Sequence, residues 1–261
     1  MKKVSILLIL FFLFPLIAIA QSEANIDSLI IIGKHQLHQA VHKWTDTALL
    51  GARAYFERLL TDHSKTWLVH YYIGLADYRL ASYFFATNNT DQAKQYIDDG
   101  IEHLKKCLDA KEKFADAHSL LSSLYGNKIG MNPFLGMTLG PKSGKEMGKA
   151  MSIQSNNPRN HLLAGWGAYY TPKMFGGGKD KAENYFQQAI ASYETFQVSD
   201  PILPDWGHEE AYAWLGIINT ENEQYNQARQ NFKQALQIFP EYGWVKHVLL
   251  PNLDKKISSN N

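Results

Sequence analysis

The stretch EEAYAWLGIINTENEQYNQARQNFKQALQIFP, residues 209–240, decides the fold of this chain. Its first half places apolar side chains three and four positions apart, which predicts a helix with Gly216 on its packing face. Its second half repeats that spacing with Ala228 and Phe232 on one face. Pro240 ends this second helix because proline has no backbone N–H to donate. The sequence therefore predicts two antiparallel helices that pack closely against each other.

The small residues of this hairpin have a packing role. Gly216 and Ala228 let the two backbones approach where the helices cross. Phe232 fills the groove between the helices, and Ala235 leaves room for a following unit. This arrangement resembles the tetratricopeptide repeat (TPR), a helix–turn–helix unit of about 34 residues. The resemblance implies a right-handed superhelix of stacked helix pairs that binds other proteins or peptides.

The same pattern recurs upstream and covers most of the chain. Gly74 and Gly165 take the place of Gly216, and Ile97 takes the place of Phe232 in its own unit. We expect an all-α, right-handed α-solenoid of about five TPR-like hairpins over residues 21–257, followed by a polar tail at 258–261. The units span residues 33–66, 67–110, 115–153, 158–196 and 209–240, and a short capping helix follows them.

Two connections between paired helices are rich in glycine. Residues 126–144 combine several glycines with two prolines, a composition that predicts an irregular loop. Residues 172–179 form the corresponding connection of the next unit. Because successive units stack in parallel, both connections should emerge at the same edge and touch. They are either a cap with a binding role or insertions tolerated because loop length costs little.

The N-terminus has the pattern of a secretory signal peptide over residues 1–20. Lys2 and Lys3 precede an apolar run from Val4 to Ile19, and small residues flank a cleavage site before Gln21. The run is short for a membrane span and Pro15 interrupts it. We expect an exported protein, periplasmic or secreted, without stable membrane insertion after cleavage.

Charge argues against nucleic-acid binding, and the cysteine content excludes an internal disulfide. The chain has 26 basic and 25 acidic residues, which is not the positive excess that nucleic-acid binding requires. Cys107 is the single cysteine, so no internal disulfide forms. Oligomeric state stays open at this level.

The TPR resemblance also implies which side chains line the concave groove. Aromatic rings beside arginine are typical of binding surfaces, although an aromatic stripe at helical spacing is equally typical of packing. The groove candidates are Tyr78, Arg79, Arg159, Leu162, Trp166, Tyr169, Tyr170 and Glu210. The candidate contacts on the two glycine-rich connections are Phe134, Lys142, Phe175 and Lys179.

No catalytic, metal or cofactor site is predicted. His208-Glu209 begins like a zinc-protease motif, but Tyr212 stands where the second histidine belongs. His35, His38 and His42 share a helical face, and no carboxylate or cysteine nearby in sequence completes a ligand set. We expect a solvated polar face there.

Two functional hypotheses follow. The first is a non-catalytic exported scaffold that holds a protein or peptide in its concave groove. The second is a periplasmic accessory subunit that handles a small solute for an envelope transporter. An open groove favours the first, and an enclosed, mostly apolar pocket under the glycine-rich connections favours the second.

Overall fold

The computed structural model describes residues 25–61 and 63–259. The predicted signal peptide and the end of the polar tail lie outside these residues. The described part contains α-helices and short helical turns, and no β-strand. No helix in it is both long and apolar enough to cross a bilayer. The helices are α1 (25–43), α2 (Asp46–Glu57), α3 (Thr66–Ala86), α4 (Thr90–Ala110), α5 (Ala115–Met131), α6 (Gly136–Ile153), α7 (Pro158–Tyr170), α8 (Lys179–Thr195), α9 (His208–Glu221), α10 (Tyr225–Ile238) and α11 (Leu250–Ser259).

Helices adjacent in sequence pack in pairs, and the pairs stack in chain order. The most extensive contacts join α3 with α4, α5 with α6, α7 with α8 and α9 with α10. Further contacts join α2 with α3, α4 with α5 and α8 with α9. The prediction of an all-α solenoid built from hairpins is therefore confirmed.

In the fourth and fifth hairpins, a glycine lies where the two helices cross and makes room for a phenylalanine ring, as the sequence predicts. A Cβ atom on Gly216 would lie 2.4 Å from the Phe232 ring, and one on Gly165 would lie 2.5 Å from the Phe186 ring. Such distances are far below van der Waals contact. Glycine at these two positions is therefore required for the rings to fill the space between the helices.

The second hairpin has a different register from the one predicted. α3 and α4 each have 21 residues, and the Asn89 side chain caps α4 by accepting from the Gln92 N–H. A Cβ atom on Gly74 would lie 2.8 Å from the Leu104 side chain. Gly74 therefore faces Leu104, whereas the sequence predicted that it would face Ile97. The helices run antiparallel from the turn before Asn89. The residue opposite Gly74 must therefore lie about as far after that turn as Gly74 lies before it.

The prediction of an irregular loop at residues 126–144 is wrong. α5 continues to Met131 and α6 begins at Gly136, so that only a short 3₁₀ turn connects them. Ser122 and Ser143 exchange hydrogen bonds between the two helices, with Ser143 Oγ donating to the Ser122 carbonyl at 2.9 Å. Tertiary packing supplies most of a helix's stability, and here it outweighs the poor helix propensity of glycine.

A small second core closes the C-terminal end. Phe232 and Ala235 of α10 pack with Tyr242, Val245 and Leu253. A π-helical turn at Val245–Leu249 leads into α11. The capping helix thus covers the face that the last hairpin would otherwise expose.

Candidate functional site

The predicted groove residues lie mostly inside the molecule. Tyr169 is half-buried, and Tyr170 is 71% exposed. The other six are buried: Tyr78, Arg79, Arg159, Leu162, Trp166 and Glu210. Our expectation of an open groove lined by these six side chains is therefore corrected, because they contact one another and the rest of the chain. Partner contact by any of the eight stays a prediction.

Arg79 and Glu210 form the central contact of this interior. Arg79 Nη1 donates to Glu210 Oε2 at 2.7 Å, and Nη2 donates to Oε1 at 2.6 Å. The guanidinium lies over the rings of Tyr78, Trp166 and Trp206, at 5.8, 5.6 and 4.9 Å from their centroids. Burial opposes the charge, but Glu210 outweighs burial and raises the pKa of Arg79. The ion pair joins the second hairpin to the fifth.

A second buried ion pair joins the third and fourth hairpins. Arg159 Nε donates to Asp116 Oδ1, and Asn157 Nδ2 donates to Asp116 Oδ2 at 2.9 Å. The guanidinium also lies 5.3 Å from the Phe196 ring centroid. Both charges of the pair are withdrawn from water, and Arg159 Nη1 is buried without a hydrogen-bond partner.

The segment 196–207, which connects the fourth and fifth hairpins, packs against the inner face of α3. Tyr72 OH donates to the Ile202 carbonyl at 2.5 Å, and Trp206 Nε1 donates to Tyr71 OH at 3.0 Å. Lys34 Nζ on α1 donates to the Leu203 carbonyl at 2.6 Å. A connecting segment of the protein itself thus occupies part of the surface on which we expected a partner peptide.

The first and last hairpins meet through α1 and α9. His38 Nε2 lies 3.3 Å from Glu209 Oε1, and His42 Nε2 lies 3.2 Å from the same oxygen. The His42 ring stacks on Phe239 at 3.9 Å. Our expectation of a solvated face is wrong for His38 and His42, whereas His35 is exposed. The sequence shows the histidine pair, but nothing in it connects the pair to a carboxylate 171 residues away.

Large apolar side chains are exposed at the tips of the third and fourth hairpins. We call this set the tip surface. Phe134 and Met137 of the third hairpin are 91% and 90% exposed, and Met174 and Phe175 of the fourth are 83% and 71% exposed. Lys142 on α6 is also exposed. Of the four predicted contacts on the connections, Phe134 and Phe175 thus belong to an apolar surface. In the described part of the chain, no hydrogen bond or ion pair joins the two tips.

The connection at 171–179 has a defined conformation. Gly176 and Gly178 have φ of 83° and 116°, values that favour glycine. The N–H groups of Gly176, Gly177 and Gly178 donate to the carbonyls of Lys173, Pro172 and Ala168. These three donors are therefore already engaged within the chain.

A cavity of about 380 Å³ lies beside this connection and is open to solvent. Tyr169, Tyr170 and Lys179 contribute to its lining. Tyr169 OH donates to Glu221 at 2.7 Å, and Lys179 Nζ pairs with Glu221 at 2.8 Å. The cavity combines aromatic faces with charged groups, so it differs from the enclosed apolar pocket expected of a solute subunit.

Comparison with solved structures shows which fold this is. A thermophilic TPR protein from Thermus thermophilus, TTC0263, matches with a TM-score of 0.54 at 16% identity, over 85% of this chain and 98% of that one. The fold is that of a TPR protein. The HusA haemophore from Porphyromonas gingivalis matches with a TM-score of 0.62 at 23% identity, over 74% of this chain and 92% of that one. No protein-family model and no curated protein matches the sequence. The TPR-like architecture thus supports a helical repeat scaffold.

Proposed function

We propose that this protein is an exported, non-catalytic scaffold that binds a protein or peptide partner through the tip surface. The observation that carries this proposal is the exposure of Phe134, Met137, Met174 and Phe175 on two successive hairpins. Large exposed apolar side chains grouped on one part of a surface are characteristic of interaction sites. The six buried groove residues are already engaged within the chain, so the tips present the accessible apolar area.

The architecture adds a reason for this choice. Each tip side chain stands at the end of a helical hairpin, and the third and fourth hairpins contact each other mainly through α5 and α7. A rigid scaffold presents its contact residues with little loss of conformational entropy on binding. Aromatic and methionine side chains also contribute large contact areas and adapt to irregular partner surfaces.

The test compares the wild type with a Phe134→Ser/Met174→Ser variant in crosslinking from an envelope fraction. We expect specific crosslinked partners of the wild type to be lost from the variant, with the circular-dichroism spectrum unchanged. Ile32→Ser is the matched control, because Ile32 is 47% exposed on α1, away from the tips. Partners that crosslink equally to wild type and tip variant would show that the tip surface is not the binding site.

A second candidate is binding of a planar apolar small molecule, in line with a solute-handling role. It is favoured by the structural match to a protein described as a haemophore and by the aromatic faces of Tyr169 and Tyr170 at the open cavity. A titration with haem, monitored by Soret absorbance, tests this candidate. A saturable shift that Tyr170→Ser weakens would support this candidate. Absence of a saturable shift in the wild type would eliminate it.

A further inference from the structure

The contact between α1 and α9 brings together three donor atoms that have metal-ligand character. His38 Nε2, His42 Nε2 and Glu209 Oε1 form a triangle with sides of 3.2, 3.2 and 3.3 Å. His38 and His42 are four residues apart on α1, so their rings lie on the same side of the helix. Glu209 reaches them from the first turn of α9. The fold thus assembles a two-histidine, one-carboxylate set from the two ends of the solenoid.

Hydrogen bonds do not account for all three sides of this triangle. The carboxylate oxygen only accepts, and each neutral imidazole has one N–H, so at most two of the three sides carry a hydrogen bond. A cation placed above the plane of the triangle, equally far from its three corners, contacts one lone pair of each atom. Zinc binds imidazole nitrogen and carboxylate oxygen at about 2.0–2.2 Å, which places tetrahedral ligands about 3.3 Å apart. The observed sides match that separation.

The surroundings fix the ligands and leave an entry path. The His42 and Glu209 side chains are buried at 3% and 5% exposure, whereas the His38 side chain is 31% exposed. Phe239 stacks on the His42 ring, and Tyr242 meets it edge-on at 4.7 Å. The ligands are therefore held by packing on one side and reachable from solvent on the other. That open side leaves the fourth coordination position for water.

We propose that His38, His42 and Glu209 bind one divalent transition-metal cation, Zn²⁺ foremost, which clamps the first hairpin to the last. Two imidazole nitrogens and one carboxylate oxygen form a ligand set that zinc takes in proteins, with water in the fourth position. The cation would stabilise the closed solenoid, because its ligands come from helices that are far apart in sequence. This inference is independent of the proposed tip surface.

The test measures Zn²⁺ binding to the full mature chain without an affinity tag, by competition with a zinc-binding chromophore after chelator treatment. We expect one equivalent bound by the wild type, and affinity at least about 100-fold weaker in His38→Ala and in Glu209→Gln. His35→Ala is the matched control, because His35 is exposed one turn away on the same helix. Zinc should raise Tm by at least about 2 °C in the wild type and in His35→Ala but not in His38→Ala.

Substitution with Co²⁺ gives a readout that folding defects do not imitate. Four-coordinate Co²⁺ bound by two histidines and a carboxylate should give an intense visible absorption band in the wild type and in His35→Ala only. Glu209→Gln keeps the size of the side chain, so its circular-dichroism spectrum should match the wild type. If the wild type binds no zinc, or if Glu209→Gln binds zinc as tightly as the wild type, the proposal is overturned.

Discussion

Arg79 and Glu210 form a bidentate ion pair across 131 residues of sequence, with 6% and 5% of the two residues exposed. This pair couples the second and fifth hairpins inside a repeat fold, in which the helix contacts lie mostly within a hairpin or between neighbouring hairpins. Removing one partner leaves the other charge buried and unpaired. Such a charge costs far more than the net contribution of the intact pair.

We therefore expect Glu210→Ala to lower the free energy of unfolding by about 3–5 kcal/mol, measured by urea denaturation. The double variant Arg79→Met/Glu210→Leu should lose less than Glu210→Ala, because no unpaired charge remains. Asp254→Ala is the control, since its pair with Arg229 is exposed, and it should cost about 1 kcal/mol or less. Equal losses in Glu210→Ala and Asp254→Ala would contradict the assignment.

Some glycines in this chain are packed against a neighbouring side chain and others have free space beside them. Substitution by alanine should have opposite effects on stability at the two kinds of position. At Gly216 an added Cβ meets the Phe232 ring, so Gly216→Ala should destabilise by about 1–3 kcal/mol. At Gly148 within α6 a Cβ meets nothing within 4 Å, so Gly148→Ala should stabilise by about 0.5–1 kcal/mol. Thermal unfolding of the two variants gives the comparison. A stabilising Gly216→Ala would show that the α9–α10 crossing is looser than described.

Two histidines between α3 and α4 make stability depend on pH. His70 Nδ1 and His103 Nδ1 lie 2.9 Å apart. Burial, followed by the neighbouring His70, lowers the pKa of His103 to about 4. Burial also lowers the pKa of His70. At these two histidines the folded state therefore binds fewer protons than the unfolded chain between about pH 4 and pH 6.5, and their contribution to stability falls as pH falls through that window.

The variant His103→Gln tests this dependence. Between pH 7 and pH 4.5, the free energy of unfolding of His103→Gln should fall by about 1 kcal/mol less than that of the wild type. This figure is discounted because His103 is partly exposed and solvent screens its charge. Urea midpoints at the two pH values provide the measurement, and His35→Gln on exposed His35 is the control. A pH dependence identical to that of the wild type would rule out a contribution from this pair.

Cys107 should report opening of the solenoid. Its side chain is fully buried, and burial, reinforced by Asp116, raises the pKa of the thiol well above its ordinary value. The thiolate is the reactive form, so an aromatic disulfide reagent at pH 8 should label native protein far more slowly than urea-unfolded protein. Rapid labelling of the native chain would show that the core around α4 is open to solvent.

Local sequence determined the hairpins of this protein. The recurrence of apolar residues at helical spacing, with Gly216 and Gly165 at the crossings and Pro240 at an end, predicts helices and their antiparallel pairing. These signals act within about 34 residues, because each hairpin is a local structure whose helices and turn are contiguous in sequence. The glycine-rich residues 126–144 were misread because composition reports propensity, whereas packing against α5 decides whether α6 forms.

How the two ends of the solenoid meet depends on long-range packing that no local sequence pattern shows. The position of each hairpin depends on the small rotation at every preceding interface, and these rotations accumulate along the stack. No local pattern therefore shows that Glu209 reaches His38 and His42, or that segment 196–207 lies against α3. The sequence supplied the histidine pair and the carboxylate separately, and the superhelical curvature brought them within 3.3 Å of each other.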